Sequence, residues 1–329
     1  MTRPRRIALV LGAGGVAGHA FHVGVLRAIA EETGWDPRDA ALIVGTSAGS
    51  VVGLGLRAGL AASDLYARTV DEAVSAEGDR LLAHIPPPDE RPWWFQNSAR
   101  RSPLPASLGL VARLAARPWR ARPGVLLAGL LPAGTLDISR IASDADALVA
   151  AATTPISDLW LSAVRLRDGR RVLFGRENAN QPSAPWRWGE AVAASCAIPT
   201  FFQPVTIAGE RYVDGGAHSP TSAHVAGVID PDLVVVSSPM SSVRTLSRPS
   251  LDAPVRTMYR LRLGAEVARL RRRGIPVAVF QPTAEVVRAA GINAMNPEIR
   301  IPVARASYVA AAERCRRDEF TPHAATLAA

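Results

Sequence analysis

Ile7-Ala8-Leu9-Val10-Leu11 carries no polar side chain and runs straight into Gly12-Ala13-Gly14-Gly15-Val16-Ala17-Gly18. A short run that is apolar at every position suits a strand covered on both faces, the environment of a parallel sheet packed between helices. The pattern recurs at once. Leu42-Ile43-Val44 is followed directly by Gly45-Thr46-Ser47-Ala48-Gly49. Helical periodicity succeeds each glycine turn, from about His19 to Glu32 and up to about Gly59. Further strands are expected at Leu159 to Leu166, Arg171 to Phe174, Leu233 to Ser237 and Pro276 to Phe280. Helices are expected near Gly189 to Cys196, Val255 to Arg273 and Val303 to Arg317. Strands alternating with helices mean an α/β class with a mainly parallel sheet. No internal repeat interrupts the scheme.

Composition narrows the function classes. With 48% hydrophobic and 20% charged residues over 329 positions, the chain builds a core and is not dominantly disordered. Cys196 and Cys315 are the only cysteines, without a CxxC pair or metal-ligand spacing, so no disulfide scaffold, structural zinc or other metal is expected. No stretch of apolar residues is long enough to span a bilayer. The start, Thr2-Arg3-Pro4-Arg5-Arg6 before Ile7, imitates a signal peptide, but its apolar run breaks into glycines too early for an h-region. A cytoplasmic protein is expected, with peripheral membrane contact left open. The net charge is +9, and all 38 basic residues are arginine. Guanidinium forks suit phosphates and carboxylates, so anionic lipid headgroups are admissible partners, although genome composition is the favoured account of the arginine bias. Nucleic acid is not expected, because the arginines are spread along the chain and form no single basic run.

The segment from about Gly78 to Gly134 reads differently. Pro86, Pro87, Pro88, Pro92, Pro103, Pro105, Pro118, Pro123 and Pro132 forbid long regular elements there. Leu104, Leu108, Val111 and Ala115 fall at helical spacing, with Arg113, Arg117, Trp93, Trp94, Phe95 and Trp119 nearby. Two readings compete: a lid or interfacial patch meeting lipid, or a helical insertion whose apolar stripe packs on the sheet. The spacing favours packing.

Three places carry chemistry. The glycine loop after the first strand turns backbone N–H groups toward a helix N-terminus, which suits a dinucleotide pyrophosphate or a developing oxyanion. The dinucleotide reading fails on spacing: counted from Gly12, the sixth position is Ala17, Gly18 comes one residue late, and the second strand ends in Gly45 where an acid is wanted. Gly45-Thr46-Ser47-Ala48-Gly49 is a Gly-x-Ser-x-Gly elbow between strand and helix, a sharp turn that exposes the serine hydroxyl and lets Ala48 donate its N–H to an oxyanion. Arg211-Tyr212-Val213-Asp214-Gly215-Gly216 is a short β segment ending in Asp-Gly-Gly, which alone marks only a turn. A serine needs a base. His218, His224 and His323 follow Ser47 in the order of a hydrolase triad, yet none lies in a segment that looks like a catalytic loop.

Together the glycine loop with His22-Val23-Gly24-Val25-Leu26, the elbow, Ala194-Ser195-Cys196-Ala197-Ile198-Pro199 and Asp214-Gly215-Gly216 resemble the patatin-like phospholipase family, in that family's order, over roughly residues 7 to 223. The resemblance implies a three-layer α/β/α fold with a mainly parallel central sheet. It also implies one domain spanning residues 1–329, with the Pro/Arg/Trp-rich segment at about 78–134 as a helical insertion. It implies a serine–aspartate dyad without cofactor or metal. Ser47 would be the nucleophile and Asp214 the base, with Gly14, Gly15 and Ala48 supplying the oxyanion hole and Gly12, Gly18, Gly45, Gly49, Gly215 and Gly216 shaping the motifs. The expected reaction is cleavage of carboxylic esters of phospholipids or lysophospholipids through an acyl-enzyme. A neutral-ester lipase with the same dyad and an inactive ligand-binding module are the alternatives. Two departures stand out: Ala13 and Ala17 occupy positions where the family loop usually has glycine and arginine. The loop keeps its donors only if φ at Ala13 is negative. An ordinary carboxylate is a weak base at neutral pH, so Asp214 is expected to be partly buried and held unprotonated by nearby N–H donors.

Overall fold

The computed structural model describes residues 5–87, 104–116, 122–177, 185–242 and 253–328. Eight strands form one sheet: β1 (Ile7–Leu11), β2 (Leu42–Thr46), β3 (Leu159–Arg165), β4 (Arg171–Phe174), β5 (Val205–Ile207), β6 (Glu210–Asp214), β7 (Leu233–Ser237) and β8 (Val277–Phe280). Their spatial order is β5-β6-β3-β2-β1-β7-β8, with β4 also paired to β3. The run β3-β2-β1-β7-β8 is parallel, while β4, β6 and β5 join antiparallel. The sheet is therefore mixed but mostly parallel. Every residue of β1, β2 and β7 is buried, which is why their sequences are unbroken apolar runs.

Helices cover both faces. They are α1 (Gly15–Thr33), α2 (Ala48–Ala58), α3 (Ala62–Thr69), α4 (Ala76–Leu82), α5 (Leu108–Ala115), α6 (Pro123–Leu130), α7 (Ser139–Ala151), α8 (Trp188–Cys196), α9 (Ala253–Arg271), α10 (Ala284–Ala290), α11 (Arg300–Cys315) and α12 (Thr321–Leu327). Leu9, Leu11, Ile43, Leu161 and Val235 point into the larger core, shared with α1, α2, α8 and α11. Ala8, Val10, Val44, Val234 and Val236 face the opposite side, against Ala223, Val225, Leu263 and Leu270. The alternation along each strand is the two-residue period of a pleated sheet. A Cβ at Gly24 of α1 would lie 2.5 Å from the Ala304 carbonyl of α11, so glycine there lets two helices cross backbone to backbone.

The proline-rich segment holds short elements, as its prolines require. The row Leu104, Leu108, Val111, Ala115 is not the buried one: Leu104 and Leu108 are each 64% exposed. Leu110 is the buried residue, and with Leu114, Val125 and Ala128 it packs on Val164, Leu166 and Val213. Two interleaved rows of small and apolar residues offered themselves on one short helix. The Ser107 hydroxyl decides between them by accepting the Leu110 N–H at 3.3 Å and donating to the Leu166 carbonyl at 3.2 Å. Trp93, Trp94, Phe95, Arg117 and Trp119 lie outside the described residues.

Register brings distant positions together. Thr46 pairs with Ser162, and Ala163 pairs with Asp214. Ser47 and Asp214 thus stand at one level of the sheet, on either side of β3, at the carboxyl ends of β2 and β6.

Candidate active site

The glycine loop leaves β1 under tight restraint. The Gly12 N–H donates to the Ser237 carbonyl at 3.0 Å and the Ala13 N–H to the Pro220 carbonyl at 2.8 Å. Ala13 is absent from the left-handed region, so the condition for alanine there is met. Gly15 has φ of +60°, and a Cβ at Gly14 would lie 2.6 Å from Gly18 Cα. Neither position admits a side chain. Among the described residues, no backbone hydrogen bond outside the helices uses the N–H groups of Gly14, Gly15 or Ala48. All three sit at helix N-termini, where the first N–H groups lack intrahelical acceptors and the dipole favours negative charge. Ala17, where the family loop has arginine, donates its N–H to the Ala294 carbonyl at 3.0 Å.

His22 is fully buried beneath this loop. Its Nε2 lies 2.7 Å from the Gly12 carbonyl and its Nδ1 2.7 Å from the Ser237 hydroxyl. A carbonyl only accepts, so Nε2 carries the hydrogen and Nδ1 accepts from Ser237. Burial pushes the imidazole down to about 3, so it stays neutral and acts as a strut for the Gly12 carbonyl.

Ser47 has φ 54° and ψ −121°, a conformation that a non-glycine residue holds only when its surroundings impose it. Those surroundings are visible. A Cβ at Gly49 would fall 2.1 Å from the Leu11 carbonyl, and one at Gly45 would fall 2.7 Å from the Gly49 carbonyl. Only small residues allow α2 to start directly against the end of β1. The Ser47 N–H donates to Ser195 Oγ at 2.9 Å, and the Ser47 carbonyl accepts from the Ser50 hydroxyl at 2.6 Å.

Asp214 is 4% exposed. Its N–H donates to the Ala197 carbonyl at 2.9 Å, and its Oδ1 accepts the Gly216 N–H at 2.7 Å. Burial pushes the carboxyl up to about 6, against the stabilising pull of the Ser47 hydroxyl and the Gly216 N–H. Burial of this carboxylate is nearly complete where partial burial was expected, and the donors offset only part of its effect. The neighbouring Cys196 thiol, pushed up to about 12 by burial and by the Asp214 charge, is neutral. Gly215 and Gly216 are close-approach positions, since a Cβ at Gly215 would lie 2.3 Å from the Ser162 carbonyl.

Two of the three histidines that follow Ser47 in the triad order are engaged elsewhere. His224 contacts Arg171 at 3.3 Å and Glu266 at 3.4 Å, and His323 packs edge-on against Phe320. Burial lowers His218 to about 4. No group of three metal-ligating side chains occurs among the described residues.

Two residues that sequence motifs did not single out shape the site. Ser195 lies inside the Ala-Ser-Cys-Ala-Ile-Pro block, but nothing in that block marks its hydroxyl as the acceptor for Ser47. Glu266 is the lone acid of the arginine-bearing α9, the one signal that pointed to it. Its buried carboxylate accepts from the Ser219 hydroxyl at 2.7 Å, the Thr221 hydroxyl at 2.8 Å and the Ala223 N–H at 2.7 Å. It thereby fixes the loop whose Pro220 carbonyl holds Ala13. Burial alone would raise this carboxyl, yet the donors from His224, Ser219 and Thr221 bring it down to about 2.

The family model described as patatin-like phospholipase matches residues 9–226, which contain the glycine loop, the elbow and Asp-Gly-Gly but not Glu266. Among solved structures, VipD from Legionella pneumophila is similar with a TM-score of 0.44 and 13% identity, over 95% of this chain and 67% of that one. The type III effector protein ExoU is similar with a TM-score of 0.34 and 15% identity, over 95% of this chain and 54% of that one, so the chain spans about half of ExoU. No curated protein matches the sequence.

Proposed function

The chain belongs to the patatin-like phospholipase family, and from that membership and the site geometry we propose a serine acyl hydrolase that cleaves carboxylic esters of phospholipids or lysophospholipids. One observation carries the reading: the hydroxyl of the strained, buried Ser47 elbow hydrogen-bonds a buried carboxylate pushed up to about 6. A carboxyl in that range remains mostly ionised at neutral pH and is a far better base than an ordinary aspartate.

Ser47 Oγ attacks the ester carbonyl while its proton passes to Asp214. The carbonyl oxygen takes up negative charge and is met by the free N–H groups of Gly14, Gly15 and Ala48. Each such donor is worth about 10²–10³ in rate. The tetrahedral species collapses, the alcohol leaves with the proton from Asp214, and the acyl group stays on Ser47. Asp214 then takes a proton from water, whose oxygen attacks the acyl carbonyl, and the fatty acid leaves as Ser47 recovers its hydrogen.

A peripheral contact with an anionic membrane surface belongs to the same reading. Leu108, Leu127, Leu130 and Leu131 are exposed on α5, α6 and the turn after it. Residues 100–136 hold six arginines and no acid. This hairpin adjoins the site: the Arg122 guanidinium donates to the His218 carbonyl at 3.3 Å. Exposed leucines in a segment whose sequence is rich in arginine and free of acid suit a headgroup boundary.

A labelled fluorophosphonate combined with product identification on a mixed lipid panel tests the proposal. Wild type should be labelled and should release fatty acid, and Ser47→Ala should do neither. Unlabelled wild type, or hydrolysis that survives Ser47→Ala, would refute it.

A further inference from the structure

Ser47 follows β2 and Asp214 ends β6, 167 positions apart in sequence, yet both are held by one three-residue stretch at the end of α8. Ser195 Oγ accepts the Ser47 N–H at 2.9 Å and donates its own hydrogen to the Ser162 carbonyl of β3 at 2.8 Å. Two residues on, the Ala197 carbonyl accepts the Asp214 N–H at 2.9 Å. Between them, Cys196 Sγ lies 3.6 Å from Ser50 Oγ, on the first turn of the helix that the elbow opens. Ser195 is fully buried.

The chemistry of this hydroxyl is specific. Ser47 precedes α2 and has left-handed φ, so its N–H points away from the helix and meets Ser195. A buried N–H seeks an acceptor. With none at position 195, the Ser47 peptide is free to turn toward another oxygen and to carry Oγ with it. Asp214 would not follow, because its N–H stays on Ala197. The separation of the two reacting groups is therefore set by the distance between two neighbouring backbone and side-chain acceptors in one rigid helix end.

Resting on the serine–aspartate reading above, we propose that Ser195 is a positioning residue that gauges the distance between Ser47 and Asp214, its hydroxyl fixing the elbow while Ala197 fixes the acid.

The test uses Ser195→Ala, Ser195→Thr and Ser195→Cys in the full chain, with fluorophosphonate labelling rates and steady-state hydrolysis of a soluble ester measured across pH. For Ser195→Ala the labelling rate and kcat should fall roughly 10–100-fold while KM stays within about twofold, because misplacing a reactive group by about 1 Å costs that much. The pH midpoint should also rise, because the displaced Ser47 hydroxyl no longer favours the charged form of Asp214. A purely structural role would lower the amount of folded enzyme and leave the midpoint in place. Ser195→Thr keeps a hydroxyl and should recover a large part of the rate. If Ser195→Ala fails to fold, Ser195→Cys replaces it, since a thiol is a weak acceptor and should give an intermediate loss. Labelled wild type together with an alanine or cysteine variant of unchanged rate and midpoint would overturn the gauge. Unlabelled wild type would instead overturn the underlying dyad.

Discussion

Acidification is the sharpest probe of this site. With the Asp214 carboxyl pushed up to about 6, the base form makes up about 90% of the protein at pH 7, half at pH 6 and about a tenth at pH 5, as a single titration requires. The acylation rate should therefore drop about tenfold between pH 7 and pH 5 and approach a slope of one per pH unit. A carboxyl at the ordinary value of about 3.8 would keep more than ~90% of its rate at pH 5. Fluorophosphonate labelling and single-turnover acylation on a soluble ester measure the rate without an interface. Circular dichroism at each pH checks that the fold persists. Asp214→Asn should abolish the profile and nearly all of the activity. The same residue carries a stability cost. The folded state binds the Asp214 proton more tightly than the unfolded chain, so stability falls as pH rises from the unfolded value toward about 6 and is level above that. A displacement from 3.8 to about 6 corresponds to about 3 kcal/mol at pH 7. Asp214→Asn keeps an oxygen for the Gly216 N–H and removes the buried charge, so it should melt higher than wild type at pH 7 while losing function. A rate that stays flat down to pH 5, or an asparagine variant with wild-type activity, would refute the assignment of the base.

Two further outcomes follow from the same physics. Glu266→Gln should lower the melting temperature at pH 7, because a carboxyl brought from 4.5 to about 2 contributes stability of about 3 kcal/mol above pH 4.5, lost as pH falls through 2; equal melting of variant and wild type at pH 7 would refute the role of its charge. Leu108→Asp combined with Leu127→Asp should weaken adsorption to anionic vesicles while leaving hydrolysis of a soluble ester unchanged. Added salt should weaken the wild-type contact as arginines are screened, and cosedimentation unaffected by both changes would exclude this hairpin as the membrane contact.

Much of the architecture is readable before folding is considered. Arg171–Phe174 and Leu233–Ser237 are strands over the residues at which strands are expected, each built on a short apolar run. The glycine turns after β1 and β2 mark where helices begin, because only small residues permit those close approaches. Helix α7 is less legible: only Ala145 and Leu148 of its thirteen residues are buried, so it shows little apolar period. The phase of α5 is unreadable for the opposite reason, since two apolar rows compete and a distant carbonyl, that of Leu166, selects one.

The same division runs through the candidate site. Local sequence alone determines that Ser47 stands on a turn between strand and helix, and that Gly14 and Gly15 open a helix, because turn sterics and unpaired N–H groups are properties of a few adjacent residues. That Asp214 reaches Ser47, that its carboxyl is displaced upward, and that Ser195 and Glu266 hold the surrounding loops were decided by tertiary structure. Strand register, desolvation and hydrogen bonds across 43 to 148 positions depend on which segments become neighbours. No window of sequence contains those neighbours.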